Sequence, residues 1–323
     1  MSETDWLDNV LVDKESFGRP SGNGAAAEAH LAFGVDGAFV RGMGVAIISL
    51  ILNNPQLDFV FHICTYSLDK GDVSRLREIA EKHDVQVHIY RINDGFLRHF
   101  PTFEHLPVAI YYRIVLANIL TGTVRRLLYL DADIVCLRGI SELLEIEFGD
   151  KVICVVAEEN EARVRTLNLK QGKYFNSGVL YFDLDKWGEG SYTLKILHCL
   201  EQNRENFTLP DQDALNSVLD GKAKFLGAEW NRFYDMAHQE GEIEPDTFFM
   251  HYYSAIKPWE RICRHPAKQH YLEYEKQSPW ADIPPTDPIT ASKMEILARQ
   301  LWNESRKKEA LGWYARYVRK KFL

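Results

Sequence analysis

Two aspartates at the end of an apolar run are the residues in this chain best suited to chemistry. Leu127-Leu128-Tyr129-Leu130 reads as a strand entering a core, and Asp131-Ala132-Asp133 follows at once. In extended chain, positions i and i+2 point to one side, so the two carboxylates converge. Converging carboxylates repel unless a cation lies between them. Hard divalent ions such as Mg²⁺ and Mn²⁺ take oxygen ligands. In open α/β sheets, ligands bind beyond the carboxyl ends of strands, where this pair falls. A solvated turn carrying two aspartates is the plainer alternative on spacing alone. His251 closes the apolar run Phe248-Phe249-Met250 and could complete an Asp-Asp-His set; taken singly it reads as an ordinary structural histidine.

The elements that must position these residues alternate along the chain. Strands are expected over His30–Val35, Asp58–Thr65, Val85–Ile92, Val124–Leu130, Val152–Val156, Tyr174–Phe182 and Phe248–Tyr253. Helices are expected over Arg41–Leu52, Asp72–His83, Pro107–Leu120 and Asp211–Leu219. The alternation predicts a parallel sheet with helices on both faces. Residues 1–28 are polar and small and read as an N-terminal arm, and residues 29–280 as a catalytic domain. Four prolines between Ser278 and Pro288 mark a boundary before a helical tail, residues 281–323.

Five stretches, in order, resemble family 8 glycosyltransferases. They are Phe33-Gly34-Val35-Asp36, Tyr129-Leu130-Asp131-Ala132-Asp133, Phe175-Asn176-Ser177-Gly178-Val179, Asp211-Gln212-Asp213 with Leu215 and Asn216, and His251 with Lys257-Pro258-Trp259. The set looks most like the bacterial lipopolysaccharide glucosyl- and galactosyltransferases and covers about residues 30 to 280. The resemblance implies a GT-A (Rossmann-like) fold, Mn²⁺ or Mg²⁺, a UDP-glucose or UDP-galactose donor, and retention of anomeric configuration. It implies that Asp131, Asp133 and His251 hold the metal, and that Asp36, with the backbone of Gly34 and Val35, meets the uracil. Arg113 would lie near the donor sugar and phosphates, Lys257 on the diphosphate, and His105 in a loop lining the nucleotide. Asn176, Asp211 and Gln212 would hold the donor hexose, with Ala132 and Ser177 counted among the nucleotide-sugar residues through their motifs. Where some relatives have Gly, this chain has Ser254.

These residue types suit glycosyl transfer. A divalent ion on the diphosphate would stabilise the departing UDP, and Lys257 adds a point charge. Gln212 and Asp211 would position hydroxyls and tolerate oxocarbenium character, and are the expected catalytic residues. An amide is a weak nucleophile, which favours attack from the leaving-group face. Plainer roles exist: Asn-Ser-Gly as a turn, Asp213 as a helix-start carboxylate, Arg113 as an exposed or salt-bridged residue, Trp187 and Trp259 as core. Nucleotidyl transfer also uses paired aspartates, but no glycine-rich phosphate loop stands near the N-terminus. A non-catalytic nucleotide-sugar-binding protein is the remaining alternative.

Residues 296–323 carry Arg299, Arg306, Lys307, Lys308, Arg316, Arg319, Lys320 and Lys321 among Trp302, Trp313, Tyr314, Tyr317 and Phe322. A basic amphipathic helix with aromatics suits an anionic membrane surface, where a lipopolysaccharide acceptor would be anchored. A terminal helix packed on the catalytic domain is the alternative. The net charge of −8 over 323 residues argues against nucleic acid as a partner. Five scattered cysteines without a CxxC pair read as reduced thiols. The polar start Ser2–Asp5 is unlike a secretion signal, and no run reaches the roughly 20 apolar residues of a membrane span. The expectation is a cytoplasmic protein, peripheral on the inner face of the inner membrane, with oligomeric state and the choice of glucose or galactose left open.

Overall fold

The computed structural model describes residues 6, 7, 9–19, 27–102, 107–238 and 240–322. Its strands are β1 (Leu11–Phe17), β2 (Ala27–Gly34), β3 (Leu57–Thr65), β4 (Gln86–Ile92), β5 (Arg126–Leu130), β6 (Ile134–Cys136), β7 (Ile153–Glu158), β8 (Tyr174–Asp183), β9 (Ala223–Leu226), β10 (Arg232–Asp235) and β11 (Phe249–Tyr253). The helices used below are α1 (Val40–Asn53), α2 (Lys70–His83), α3 (Tyr112–Leu120), α4 (Pro210–Val218), α5 (Ala291–Asn303) and α6 (Lys307–Phe322). An eight-stranded sheet runs β1-β4-β3-β2-β5-β8-β7-β9, and a three-stranded sheet runs β10-β11-β6.

The expected parallel core exists: β4, β3, β2 and β5 are mutually parallel. Such strands are covered on both faces, which is why β3 reads as the near-continuous apolar run Phe59-Val60-Phe61-His62-Ile63-Cys64. The whole sheet is mixed, however, because β8 inserts antiparallel between β5 and β7. The start of β8 therefore lies beside the carboxyl end of β5, and Asp131 N–H donates to the Gly178 carbonyl at 2.8 Å. A wholly parallel sheet would put that segment at the opposite end.

The stretch read as a polar arm contributes β1, an antiparallel edge strand on β4. Its backbone supplies the pairing, while Asp13 and Glu15 meet Arg91 across the strands at 2.9 and 2.8 Å. Polar side chains are what an edge strand carries, so composition alone hid it.

Helix α1 is apolar almost throughout because it lies between the two sheets, feeding Ile47 into one core and Val45 into the other. Gly44 makes room for Trp280: a Cβ there would stand 2.2 Å from the indole. The proline-rich segment thus folds back on the domain, and Arg41 donates to the carbonyls of Ile283 and Pro284 at 2.7 and 2.8 Å. In the tail, Leu297, Ala298, Leu301, Ala310 and Trp313 are buried in one cluster with Met250 and Tyr252 of β11. The inner side of α5 and α6 is therefore domain core, and Ile296, Trp302, Leu311, Val318 and Phe322 are exposed.

A row of polar rings crosses the sheet away from the strand ends. Glu28 meets His30, His30 meets His62 at 3.0 Å, and His62 meets the Tyr90 hydroxyl at 3.0 Å, with the His88 ring tilted alongside. Burial pushes His62 well below its ordinary pKa, aided by His30, His88 and Lys14, and pushes His88 down to about 4. These groups fold neutral, so the unfolded chain binds more protons once the pH falls below about 6.5. We predict that thermal unfolding midpoints decline as the pH drops from about 6.5 toward 4. His62→Phe should lower stability at neutral pH yet flatten that decline, as calorimetry across the range would show.

Candidate active site

Asp131 follows β5 and Asp133 precedes β6, so the pair occupies the joint between the two sheets. The carboxylates do converge, but through a turn over residues 132–133 rather than by strand alternation. From the smaller sheet, β11 sets His251 opposite Ile134, with its Nε2 3.3 Å from Asp133 Oδ1. One ligand atom from each of Asp131, Asp133 and His251 lies within 4.8 Å of the others. Two hard oxygens and an imidazole suit Mn²⁺ and Mg²⁺. The space between them is kept by Gly178, where a Cβ would stand 2.6 Å from His251 Cε1 and 2.9 Å from Asp131 Oδ2. The residues present fit a divalent cation.

Each carboxylate also has its own cationic side chain. Arg113, from α3, donates to Asp131 Oδ1 at 2.9 Å and lies 3.3 Å from Asp211. It donates as well to the carbonyls of Ile110 and Ser177. Burial works against the Arg113 charge, but Asp131, Tyr129 and Asp211 around it hold it firmly protonated. Arg113 is thus salt-bridged, as one expectation had it, but as a buried brace and not an exposed residue. Lys257 Nζ stands 2.6 Å from Asp133 Oδ2 and 2.9 Å from the Tyr252 carbonyl. Burial pushes the Asp133 carboxyl up, yet Lys257 and His251 more than reverse this and hold it below the usual carboxylate range.

Asn176 and Ser177 sit in a bulge of β8, not in a turn: Val155 pairs with Leu180 and Val156 with Asn176, leaving the residues between without a partner on β7. The bulge faces the first turn of α4. Ser177 N–H donates to Gln212 Oε1 at 2.9 Å, and its hydroxyl to Asp211 Oδ2 at 3.1 Å. Asn176 Nδ2 donates to Gln212 Oε1 at 3.0 Å, and Gln212 Nε2 to Glu158 Oε2 at 3.1 Å. Burial raises the Asp211 carboxyl above its usual range against the pull of Arg113. Asp213 is fully buried and accepts from the Thr208 and Leu209 N–H groups, the helix-start role expected of it. Trp187 and Trp259 are core.

At the end of β2, the Asp36 carboxylate accepts from Thr65 Oγ1 and Tyr66 N–H at 2.9 and 3.0 Å, and from Tyr112 Oη at 2.7 Å. Val35 N–H donates to Cys64, and Gly34 lets α3 approach, since a Cβ there would be 2.7 Å from that of Tyr112. His105 lies outside the described residues. Ser254 holds φ at +84°, so the loop keeps a glycine-like conformation although the side chain is not glycine. The sequence reading missed Glu158, which sits at the end of a strand among common acidic residues. It also missed Asn231, whose Oδ1 meets His251 Nδ1 at 2.9 Å. Nothing local distinguishes either one.

Residues 30–263 match the model of glycosyl transferase family 8, and residues 265–321 match that of its C-terminal region. The chain belongs to glycosyltransferase family 8. This glycosyltransferase is 34% identical over 272 residues to lipopolysaccharide 1,2-glucosyltransferase of Escherichia coli (strain K12), covering 80% of each chain. It is 28% identical to lipopolysaccharide 1,3-galactosyltransferase of Salmonella typhimurium, covering 91% of each. Its fold is similar to the crystal structure of the galactosyltransferase LgtC with donor and acceptor sugar analogs. That match has a TM-score of 0.69 at 20% identity and covers 77% of this chain and 96% of the other. The GT-A architecture is thereby shown. Gly178→Ala should leave the glycosyltransferase folded by circular dichroism yet weaken any divalent-cation binding at least about tenfold, because the added methyl crowds Asp131 and His251 at once.

Proposed function

We propose that this glycosyltransferase moves glucose or galactose from a UDP-sugar to a sugar of the lipopolysaccharide outer core, with retention, using Mn²⁺ or Mg²⁺. One observation carries the reading: Asp131, Asp133 and His251 converge within 4.8 Å beside the bulge that presents Asn176. The names of the two enterobacterial relatives support the acceptor class. A bound divalent ion would act as a Lewis acid on the leaving diphosphate.

The chain's own residues supply the rest. Lys257, now on Asp133, is within reach of an anion brought to the same carboxylates. Asp36 and the ends of β2 and β3 suit the nucleotide base, with Gly34, Val35 and Ala132 on the same rim. Gln212 Oε1 already accepts from Ser177 N–H and Asn176 Nδ2, so its lone pairs are engaged and it makes a poor nucleophile. Asp211 is buried and turned to Arg113 and Ser177. Both facts support attack from the leaving-group face, with these residues holding hydroxyls rather than bonding to carbon.

We infer further that the enzyme works at the cytoplasmic face of the inner membrane. No helix among the described residues is long and apolar enough to cross a membrane. The exposed Trp302, Leu311, Val318 and Phe322, with Lys307 over Trp302 and Lys321 over Phe322, suit peripheral contact with anionic lipid. Because the opposite side of these helices is core, removing the tail would uncover Leu297 and Leu301, and point changes are the cleaner test.

The deciding assay follows UDP release from UDP-glucose and UDP-galactose with truncated lipopolysaccharide. Release should require added Mn²⁺ or Mg²⁺ and stop in chelator. Asp131→Asn or His251→Ala should cut it at least about a hundredfold. Full turnover in chelator, or pyrophosphate as product, would overturn the proposal. Separately, Arg319→Glu with Lys320→Glu and Lys321→Glu should reduce sedimentation with anionic vesicles and leave turnover on a soluble acceptor unchanged.

A further inference from the structure

The hydrogen-bond network around the site contains two donors of fixed direction, both backbone N–H groups. Gly178 N–H donates to Asn176 Oδ1 at 2.8 Å, and Ser177 N–H donates to Gln212 Oε1 at 2.9 Å. An amide side chain can ordinarily be turned end for end, but a backbone donor cannot, so these two contacts say which end of each amide is oxygen. Asn176 Oδ1 is therefore an acceptor, and the Asn231 atom 3.0 Å from it must be the Nδ2 amide group. The oxygen of Asn231 then faces His251 Nδ1 at 2.9 Å. An amide oxygen only accepts, so Nδ1 carries the hydrogen. What remains is Nε2, the ring nitrogen facing Asp133, with a lone pair to offer.

We propose that Asn231 is a positioning residue that fixes His251 in its Nδ1–H tautomer, presenting a bare Nε2 to the metal, and ties that ligand to Asn176 on the sugar side. The inference rests on the metal reading above. Ligating histidines depend on such a partner for ring orientation, tautomer and basicity. The side chain is buried and, among the described residues, bonds only to His251 and Asn176. Scaffold duties at this position fall to the backbone, through Asn231 N–H to the Ala228 carbonyl, and to Trp230, stacked on Phe248 at 4.0 Å. Phe233, tilted against the His251 ring at 5.3 Å, restrains the ring plane and leaves the proton to Asn231.

Two variants separate positioning from packing. In Asn231→Asp a carboxylate still accepts from Nδ1–H but offers nothing to Asn176. In Asn231→Leu the size is kept and both bonds are lost. Mn²⁺ binding is measured by electron paramagnetic resonance without sugar nucleotide, alongside melting in chelator. The tautomer is read from ring ¹⁵N shifts of metal-free protein in alkaline buffer. Asn231→Leu should weaken Mn²⁺ binding by about 10–100-fold. Asn231→Asp should stay near the wild type in Mn²⁺ affinity while raising the donor KM. Wild-type His251 should show a protonated Nδ1, and that preference should be lost in Asn231→Leu. If both variants lose Mn²⁺ in step with melting temperature, the role is packing and the inference fails. It fails too if Asn231→Leu binds Mn²⁺ normally, or if the wild-type proton sits on Nε2. A wild-type protein that binds no Mn²⁺ sinks the metal reading and this inference with it; the other failures leave that reading standing.

Discussion

Asp131 and Asp133 hold two negative charges close together in a largely buried joint, and the protein tolerates this because each has its own cation from a different part of the chain. Arg113 approaches Asp131 from α3, and Lys257 approaches Asp133 from the loop after β11. Without them, like charges in a poorly solvated space would raise one carboxyl pKa and leave a protonated group that cannot bind an ion. Instead Asp133 is kept ionised despite its burial. The arrangement suits a divalent cation, with Lys257 neutralising Asp133 meanwhile.

That electrostatic demand explains other features of the fold. The antiparallel insertion of β8 and its bulge bring Gly178, which has no side chain to crowd His251 and Asp131, against Asp131. The smaller sheet supplies His251 through β11 and anchors Asp133 through β6. The tail helices are also linked to the site. Lys293 of α5 pairs with Glu260 at 2.8 Å and donates to the Ala255 carbonyl at 2.6 Å, while Glu260 accepts from Lys257 N–H at 3.2 Å. The loop bearing Lys257 is thus braced by the helices whose far side is exposed, apolar and basic.

The elements were largely legible because buried parallel strands and amphipathic helices have strong periodicity; the helix expected over Asp72–His83, for example, forms over Lys70–His83. The arm containing β1 was misread because edge strands carry polar residues and their stabilising partner is remote in sequence. The strand over Tyr174–Phe182 was legible, but the Asn-Ser-Gly bulge within it was not, because the same small polar residues serve turns and bulges alike. The tail's amphipathic pattern was legible, but pattern alone could not divide the faces: Ala310 and Trp313 pack inward, whereas Leu311 and Val318 remain outside.

The sequence by itself determined the family, the α/β architecture and the Asp131, Asp133 and His251 group that a divalent cation would suit, because strand-end carboxylates and ordered motifs are local properties of the chain. Tertiary structure alone decided how those residues are coupled. Arg113 became a brace between Asp131 and Asp211, Glu158 joined Gln212, and Asn231 came to link His251 with Asn176. Those pairings depend on the direction of β8 and the junction of two sheets, and hydrogen bonds act over about 3 Å regardless of sequence distance. No local pattern can encode a contact whose two ends are brought together only by the path of the intervening chain.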